Sequence, residues 1–299
     1  PPFTTSTLQQ EAWRKLRFSA QRTMSIAQQL YEGLALGKEG ATGLITYMRT
    51  DSTKVSPIAI EETRTYIKGK LGEEFLPKTP RVFQKKAKGA QEAHEAIRPT
   101  SIMREPTSIE NYLNKDQFRL YELIWKRMVS SQMSPAIIDT ITADIEAKVR
   151  QENLSYLLRA TSTATRFKGF TILYSEGRDE SEENGDKSPL PVLTANDPLK
   201  FLGLKPEQHF TQPPARYTQA TLIKALEEGG IGRPSTYAPI LGVIQVRDYI
   251  IQESGRFKPT DLGKTVCDML SEHFPNIVDF GFTAQMEEDL DLIAQGKKE

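Results

Sequence analysis

Apolar positions recur at helical spacing from the start of the chain. Ala12, Leu16, Ala20, Met24, Ala27 and Leu34 predict one long helix over residues 7–34, opened by a capping box of Thr7 and Gln10. Gly43–Arg49 reads as a short strand. Ser56 as cap and Pro57 at the first position open a helix running to about Leu71-Gly72. Residues 77–107, rich in Pro, Lys and Gln, read as loop around a short helical piece at 90–97. Lys115–Met133 returns to helix, with Phe118, Tyr121, Ile124, Trp125 and Met128 on one side. The period changes to two at Ser134-Pro135, where Ile141, Ala143, Ile145, Ala147 and Val149 alternate with polar residues, as in a half-buried strand. Leu154–Ala160, Gly169–Ser175 and Lys200–Leu204 are further candidate strands, and the acidic run 176–189 reads as a loop between strands. From Pro213-Pro214 the pattern is helical again. It predicts a helix over Tyr217–Glu228 capped by Gly229-Gly230, a turn at 231–236, a helix to Arg247 and a hairpin over Tyr249–Phe257 turning at Gly255. Helices over Thr260–His273 and Thr283–Gly296 complete it. The fold class is mixed α and β, multi-domain, with boundaries at 5–133, 134–212 and 213–299.

Composition narrows the class. With 299 residues, 38% hydrophobic and 26% charged, the chain can bury several cores, and no apolar run is long enough to span a membrane. It opens on Pro1-Pro2-Phe3 and closes on Lys297-Lys298-Glu299, which reads as an excised fragment. The single cysteine, Cys267, excludes an intrachain disulfide framework and a cysteine-based zinc site, and reads as a buried thiol beside Val266 and Met269. The 39 basic and 39 acidic residues cancel, so any polyanion-binding surface must be local. Candidates are Arg14, Lys15, Arg17 and Arg22, and the longer stretch Arg81, Lys85, Lys86, Lys88, Arg98 and Arg104. Each reads equally well as a solvated face.

Three segments carry candidate chemistry. In Gly43–Ser52, GLITYMRTDS, Tyr47 and Arg49 share one face of the predicted strand. A phenol has a pKa of about 10, and a neighbouring guanidinium both favours phenolate and holds a phosphate oxygen. The pair suits attack on a phosphodiester; a packing tyrosine and a solvated arginine fit the spacing equally. In Gln91–Thr100, QEAHEAIRPT, His94 and Arg98 are four apart and would share a helical face able to hold a phosphate. In Pro213–Tyr237, helix, turn and helix before a hairpin form a winged helix-turn-helix pattern that could set Arg233, Ser235 and Thr236 on DNA. A plain helical hairpin fits as well.

These segments, in this order, resemble the bacterial type IA DNA topoisomerase family. TYMRTDS is similar to its active-site segment, EAHEAIRPT to its second motif and GIGRPSTY to its third. The resemblance implies that Tyr47 forms a covalent bond to a 5′-phosphate of single-stranded DNA, that Arg49 stabilises the cleavage site and that His94 assists. It implies that Arg233 and Thr236 contact the DNA backbone, with Ser235 and Arg98 as further candidates. His209 and His273 match no motif and read as structural. By resemblance, a helical domain bearing the tyrosine sits on a β-rich arch or hinge domain and a winged-helix-like base domain. An N-terminal Toprim domain, holding Mg²⁺ and a proton-donating glutamate, and C-terminal zinc modules would lie outside this chain. The chain itself would hold no metal and would leave an apolar face of the base exposed. A monomer acting on underwound DNA without ATP or a membrane, in the cytoplasm at the nucleoid, completes the expectation. The rivals are a winged-helix regulator without chemistry, a tyrosine recombinase, which needs further Arg and His residues not found here, and an interaction domain.

Overall fold

The computed structural model describes residues 1–37, 40–83, 94–149, 154–177, 190–191 and 193–299. Its first helix, α1 (Thr5–Glu11), starts two residues before the predicted one, because Thr4 and Thr7 form the capping box. The predicted long helix is broken. A π-helical turn over Ala12–Leu16 ends in Arg17 at φ 59°, and α2 (Ala20–Glu32) restarts on the cap of Ser19. The break turns α2 so that Ile26, Ala27 and Leu30 face the same core as Leu8 of α1 and Ala12 of the π-helical turn.

After the short pair β1 (Leu34–Ala35) and β2 (Ala41–Thr42) comes α3 (Pro57–Lys70), capped by Ser56 as predicted. A short helix α4 (Pro106–Ile109), not predicted, precedes α5 (Lys115–Ser131). The core lies around α5, where Leu120, Tyr121, Ile124, Trp125, Met128 and Val129 meet Phe3, Leu44, Ile45, Met48, Ile67 and Ile97. Phe118, predicted on that stripe, is only half-buried. The polar tips of the buried rings are satisfied: Tyr121 Oη donates to the Arg104 carbonyl at 2.8 Å, and Trp125 Nε1 to that of Ile102 at 2.9 Å.

Beyond Met133 the chain forms a two-stranded antiparallel ribbon of β3 (Ile137–Val149) and β4 (Leu154–Phe167), longer than the predicted strands. The predicted alternation survives weakly: Ala143, Ile145 and Ala147 are half-buried, while Ile141 is exposed. Gly169–Ser175 is not a strand. It begins with a 3₁₀ turn and returns to the helical core, where the Tyr174 hydroxyl donates to buried Glu11 at 2.5 Å. Arg14 and Lys15 also turn onto Glu11, both at 3.4 Å, so two members of the first basic cluster serve the fold. Lys200–Leu204 forms no strand and is exposed; most of the acidic run lies outside the described residues.

The last part has the predicted order, with one short helix, α9, added: α6 (Gln219–Glu228), α7 (Tyr237–Val246), the hairpin β5 (Ile250–Glu253) and β6 (Arg256–Pro259), α8 (Asp261–His273), α9 (Pro275–Val278) and α10 (Phe280–Ala294). Here α10 begins three residues earlier than predicted, on the cap of Asp279. Ile223, Tyr237, Ala238, Leu241 and Phe257 form a second core that includes Ala20 of α2, and the Ala20 amide donates to Gln219 Oε1 at 2.9 Å. Ser6 Oγ donates to Glu227 at 2.6 Å. The part ending in α7 is therefore seated against α1 and α2. By contrast, α8, α9 and α10 contain no buried residue, and Leu262, Met269, Phe274, Phe280, Met286 and Leu290 are exposed. Cys267 is exposed rather than buried, as are His209 and His273. Among the described residues no helix is long and apolar enough to cross a membrane.

Burial pushes the Tyr66 and Tyr237 hydroxyls up to about 12, and those of Tyr121 and Tyr174 higher still. An unfolded tyrosine ionises near pH 10. The stabilisation from keeping these groups protonated is complete below that pH and is lost as pH rises through the folded values. The midpoint of urea unfolding should therefore fall steeply between about pH 10 and 12. Tyrosinate absorbance at 295 nm should rise in two stages, the second coinciding with loss of helical circular dichroism.

Candidate active site

Tyr47 sits on a segment without regular secondary structure. Residues 44–50 join no sheet and bend at Thr46, Met48 and Arg49; Ile45 makes a single bridge to Pro99. The predicted alternation is nonetheless real: Tyr47 and Arg49 are exposed, whereas Met48 and Thr50 are buried. Buried backbone groups need partners, and two threonines supply them. Thr46 Oγ1 donates to the Ala96 carbonyl at 2.7 Å and accepts from the Arg98 amide at 3.0 Å. Fully buried Thr5 donates through Oγ1 to the carbonyls of Met48 and Thr50 at 2.7 and 3.0 Å, and accepts from the Thr50 amide at 2.8 Å. The Leu44 amide donates to the Leu30 carbonyl at 2.7 Å. Gly43 is required by close approach, because a Cβ there would stand 2.8 Å from the Tyr31 carbonyl oxygen.

The Tyr47 ring is 36% exposed. It meets His94 with centroids 5.4 Å apart and planes tilted by 39°, and Tyr31 at 5.4 Å and 66°. His94 does not lie on a helix. Residues 94–97 are irregular and Ile97 bridges Phe3, so His94 and Arg98 do not share a helical face; residues 90–93 lie outside the described residues. What brings His94 to Tyr47 is the hydrogen bonding of 96–100 to 43–46. Arg98 is turned inward, with Nε donating to Glu95 at 2.6 Å and Nη1 to the Pro99 carbonyl at 3.0 Å. Arg49 has no ion-pair partner among the described residues.

The turn before α7 approaches the same place. Arg233 Nη2 pairs with Asp291 at 2.7 Å, and Nη1 lies 3.7 Å from Glu287. Burial opposes its charge, but these carboxylates outweigh that and hold its pKa above the usual value. Thr236 Oγ1 accepts from the Arg233 amide at 2.8 Å, and Ser235 is exposed. Asp51 joins the two regions. Burial raises its pKa, and its carboxyl also senses Asp291, Arg233 and His94. Tyr47 and His94 thus meet ring to ring, and Asp51, four residues after Tyr47, lies within electrostatic reach of His94, Arg233 and Asp291. Sequence reasoning did not single out Tyr31 or Asp51, and it noted Glu287–Asp291 only as a concentration of acid, with no site role. Asp51 stands inside TYMRTDS; Tyr31 and the α10 carboxylates carry no local signal.

Fold and site define the class: a mixed helix-and-strand protein that offers an exposed tyrosine, its backbone braced by two threonines, against a histidine ring. The chain belongs to the DNA topoisomerase family, which matches it over residues 1–299. DNA topoisomerase 1 of Xylella fastidiosa, strains Temecula1 and 9a5c, is 50% identical over 301 residues, covering 100% of this chain and 36% of the relative. Full-length topoisomerase I of Thermotoga maritima superposes with a TM-score of 0.77 at 39% identity, covering 99% of this chain and 46% of that one. The chain thus spans 36% of the length of the curated relatives it matches.

The Thr5 hydroxyl is predicted to be decisive for this geometry. Thr5→Val keeps the shape but orphans the Thr50 amide and the Met48 carbonyl in the core, at a cost of about 2–3 kcal/mol in urea unfolding. Thr5→Ser keeps the hydroxyl and should lose under about 1 kcal/mol.

Proposed function

We propose that this chain is the strand-cleaving and strand-passing portion of a type IA DNA topoisomerase. The observation that carries the reading is the exposed Tyr47 ring against His94, with Arg49 also exposed. In this reading Tyr47 Oη attacks a phosphodiester of single-stranded DNA and forms a 5′-phosphotyrosine bond, and the 3′-oxygen leaves as a hydroxyl. Arg49 neutralises charge on the phosphoryl oxygens. His94 hydrogen-bonds the phosphate or the phenol. Arg233, Thr236 and Ser235 contact the backbone of the incoming strand. Arg98 braces the His94 segment, and touches DNA only if it leaves Glu95. Reversal by the 3′-hydroxyl reseals the strand after passage of the other. The phosphotyrosine conserves the bond energy, so negative supercoils relax without ATP.

The domain reading is part of the proposal: residues 5–133 carry the tyrosine, 134–212 form the hinge and 213–299 the base. Mg²⁺ and the acid that protonates the 3′-oxygen belong, in this reading, to a Toprim domain outside these residues. Among the described residues no group of three or more His, Cys, Asp or Glu is placed to hold a metal ion, and Asp291 and Glu287 are engaged by Arg233. The steps assigned here are therefore routed through side chains alone. We also infer that the 299 residues by themselves bind single-stranded DNA but do not relax supercoils. A monomer working at the nucleoid in the cytoplasm fits this reading.

In the full-length protein, an oligonucleotide labelled at its 3′ end should become covalently attached, because the downstream fragment carries the bonded 5′-phosphate. Tyr47→Phe should abolish the adduct while changing single-strand affinity by less than about threefold. An adduct that persists in Tyr47→Phe, or that retains a 5′-end label instead, would refute the assignment.

A further inference from the structure

We propose that Tyr31 is a positioning residue for Tyr47, its ring setting the direction in which the Tyr47 hydroxyl points. The inference rests on Tyr47 being the nucleophile. The hydrogen bonds of Thr5 and Thr46 fix the backbone around Tyr47, but they leave its side-chain torsions free. A ring 36% exposed on an irregular segment has room to swing, and in-line attack tolerates little misplacement. Tyr31 limits that swing. It stands in the last turn of α2 and meets Tyr47 edge-on, with centroids 5.4 Å apart at 66°, an arrangement that aromatic quadrupoles favour.

Tyr31 is itself rigidly registered to the tyrosine segment. The Leu44 amide donates to the carbonyl of its neighbour Leu30 at 2.7 Å. Gly43 packs so closely on the Tyr31 carbonyl that a Cβ would come within 2.8 Å. Tyr31 is 41% exposed, so its ring adds little to the core, and its hydroxyl has no hydrogen-bond partner among the described residues. The ring is therefore the working part of the side chain, and phenylalanine should replace it.

The test compares Tyr31→Ala, Tyr31→Leu and Tyr31→Phe in the full-length protein, using single-turnover cleavage of a saturating 3′-labelled oligonucleotide and equilibrium binding of the same strand. Ala and Leu should slow cleavage on the order of tenfold with the dissociation constant within about twofold, and Phe should restore the rate. In this chain with ¹³C-labelled tyrosine rings, the Tyr47 resonances, assigned by Tyr47→Phe, should move in Ala and Leu but hold in Phe. Wild-type cleavage by Ala would overturn the role of Tyr31. So would a loss confined to binding, which would make Tyr31 a stacking platform for a base. A wild-type protein that forms no adduct at all would instead overturn the assignment of Tyr47, and this inference with it.

Discussion

The hydroxyl of Thr5 holds the arrangement on which the rest depends. A reactive tyrosine has to be exposed and yet held still, and regular secondary structure gives it only the second property cheaply. Here the segment from Leu44 to Lys54 is irregular, so its polar groups are satisfied from elsewhere. Thr5 binds both sides of Met48–Thr50, Thr46 binds the strand-like run after His94, and the Lys54 carbonyl accepts from the Ala96 amide at 2.8 Å. Each bond crosses a large sequence separation. The site exists only when the α5 core is complete, because Leu44, Ile45 and Met48 are themselves core residues. Stability of the helical part and geometry at Tyr47 are in this sense one property.

Electrostatics at the meeting of the two parts is finely balanced. The chain has no net charge, and the arginine nearest the site on the α7 side is already paired. Arg233 shared between Asp291 and Glu287 presents far less positive potential than an isolated guanidinium. A phosphate bound there would compete with carboxylates, which weakens non-specific attraction and makes release easier. Arg49, with no such partner among the described residues, would in the proposed reading be the stronger anchor. Asp51 adds a half-buried carboxyl whose charge is disfavoured by burial and by Asp291. The two faces therefore meet across a cluster in which each protonation or ion-pairing event alters the attraction between them.

Much of the site was legible in sequence because the motifs are contiguous. TYMRTDS predicts Tyr47 and Arg49 exposed between buried neighbours, and that alternation holds although the segment bends and forms no sheet. The same reasoning failed for His94 and Arg98, where helical spacing suggested a shared face that the bridges of Ile97 to Phe3 and Pro99 to Ile45 replace. The break at Arg17 was hidden because every residue from Ala12 to Ser19 is tolerated in a helix; packing of α1, α2 and α5 around one core imposes the left-handed residue. Tyr31 and the α10 carboxylates were out of reach for another reason. Their relation to the site is purely tertiary, 16 residues from Tyr47 in one case and 58 from Arg233 for Asp291 in the other.

The exposed apolar faces, expected for the base and unexpected for the ribbon, have a common physical origin. The apolar positions of α8 and α10 were as good a helix signal as those of α5, and the alternation in β3 as good a strand signal as any. Both elements formed, but α8 to α10 bury nothing and the ribbon is mostly exposed. Periodicity reports that a face is made to be covered; it carries no information about what covers it. In α5 the cover is supplied by the chain itself, through Phe3, Leu8 and Ile67. For the terminal helices and the ribbon the described residues supply little, chiefly Arg233 against α10 and Phe75 against Phe167. These residues span 36% of the relatives they match, so an apolar stripe can be correctly read while its cover lies in the remaining length. Apolar patches of this extent are costly on an isolated monomer, which is why the exposed faces of α8 and α10 belong with the proposed base domain rather than with a finished surface.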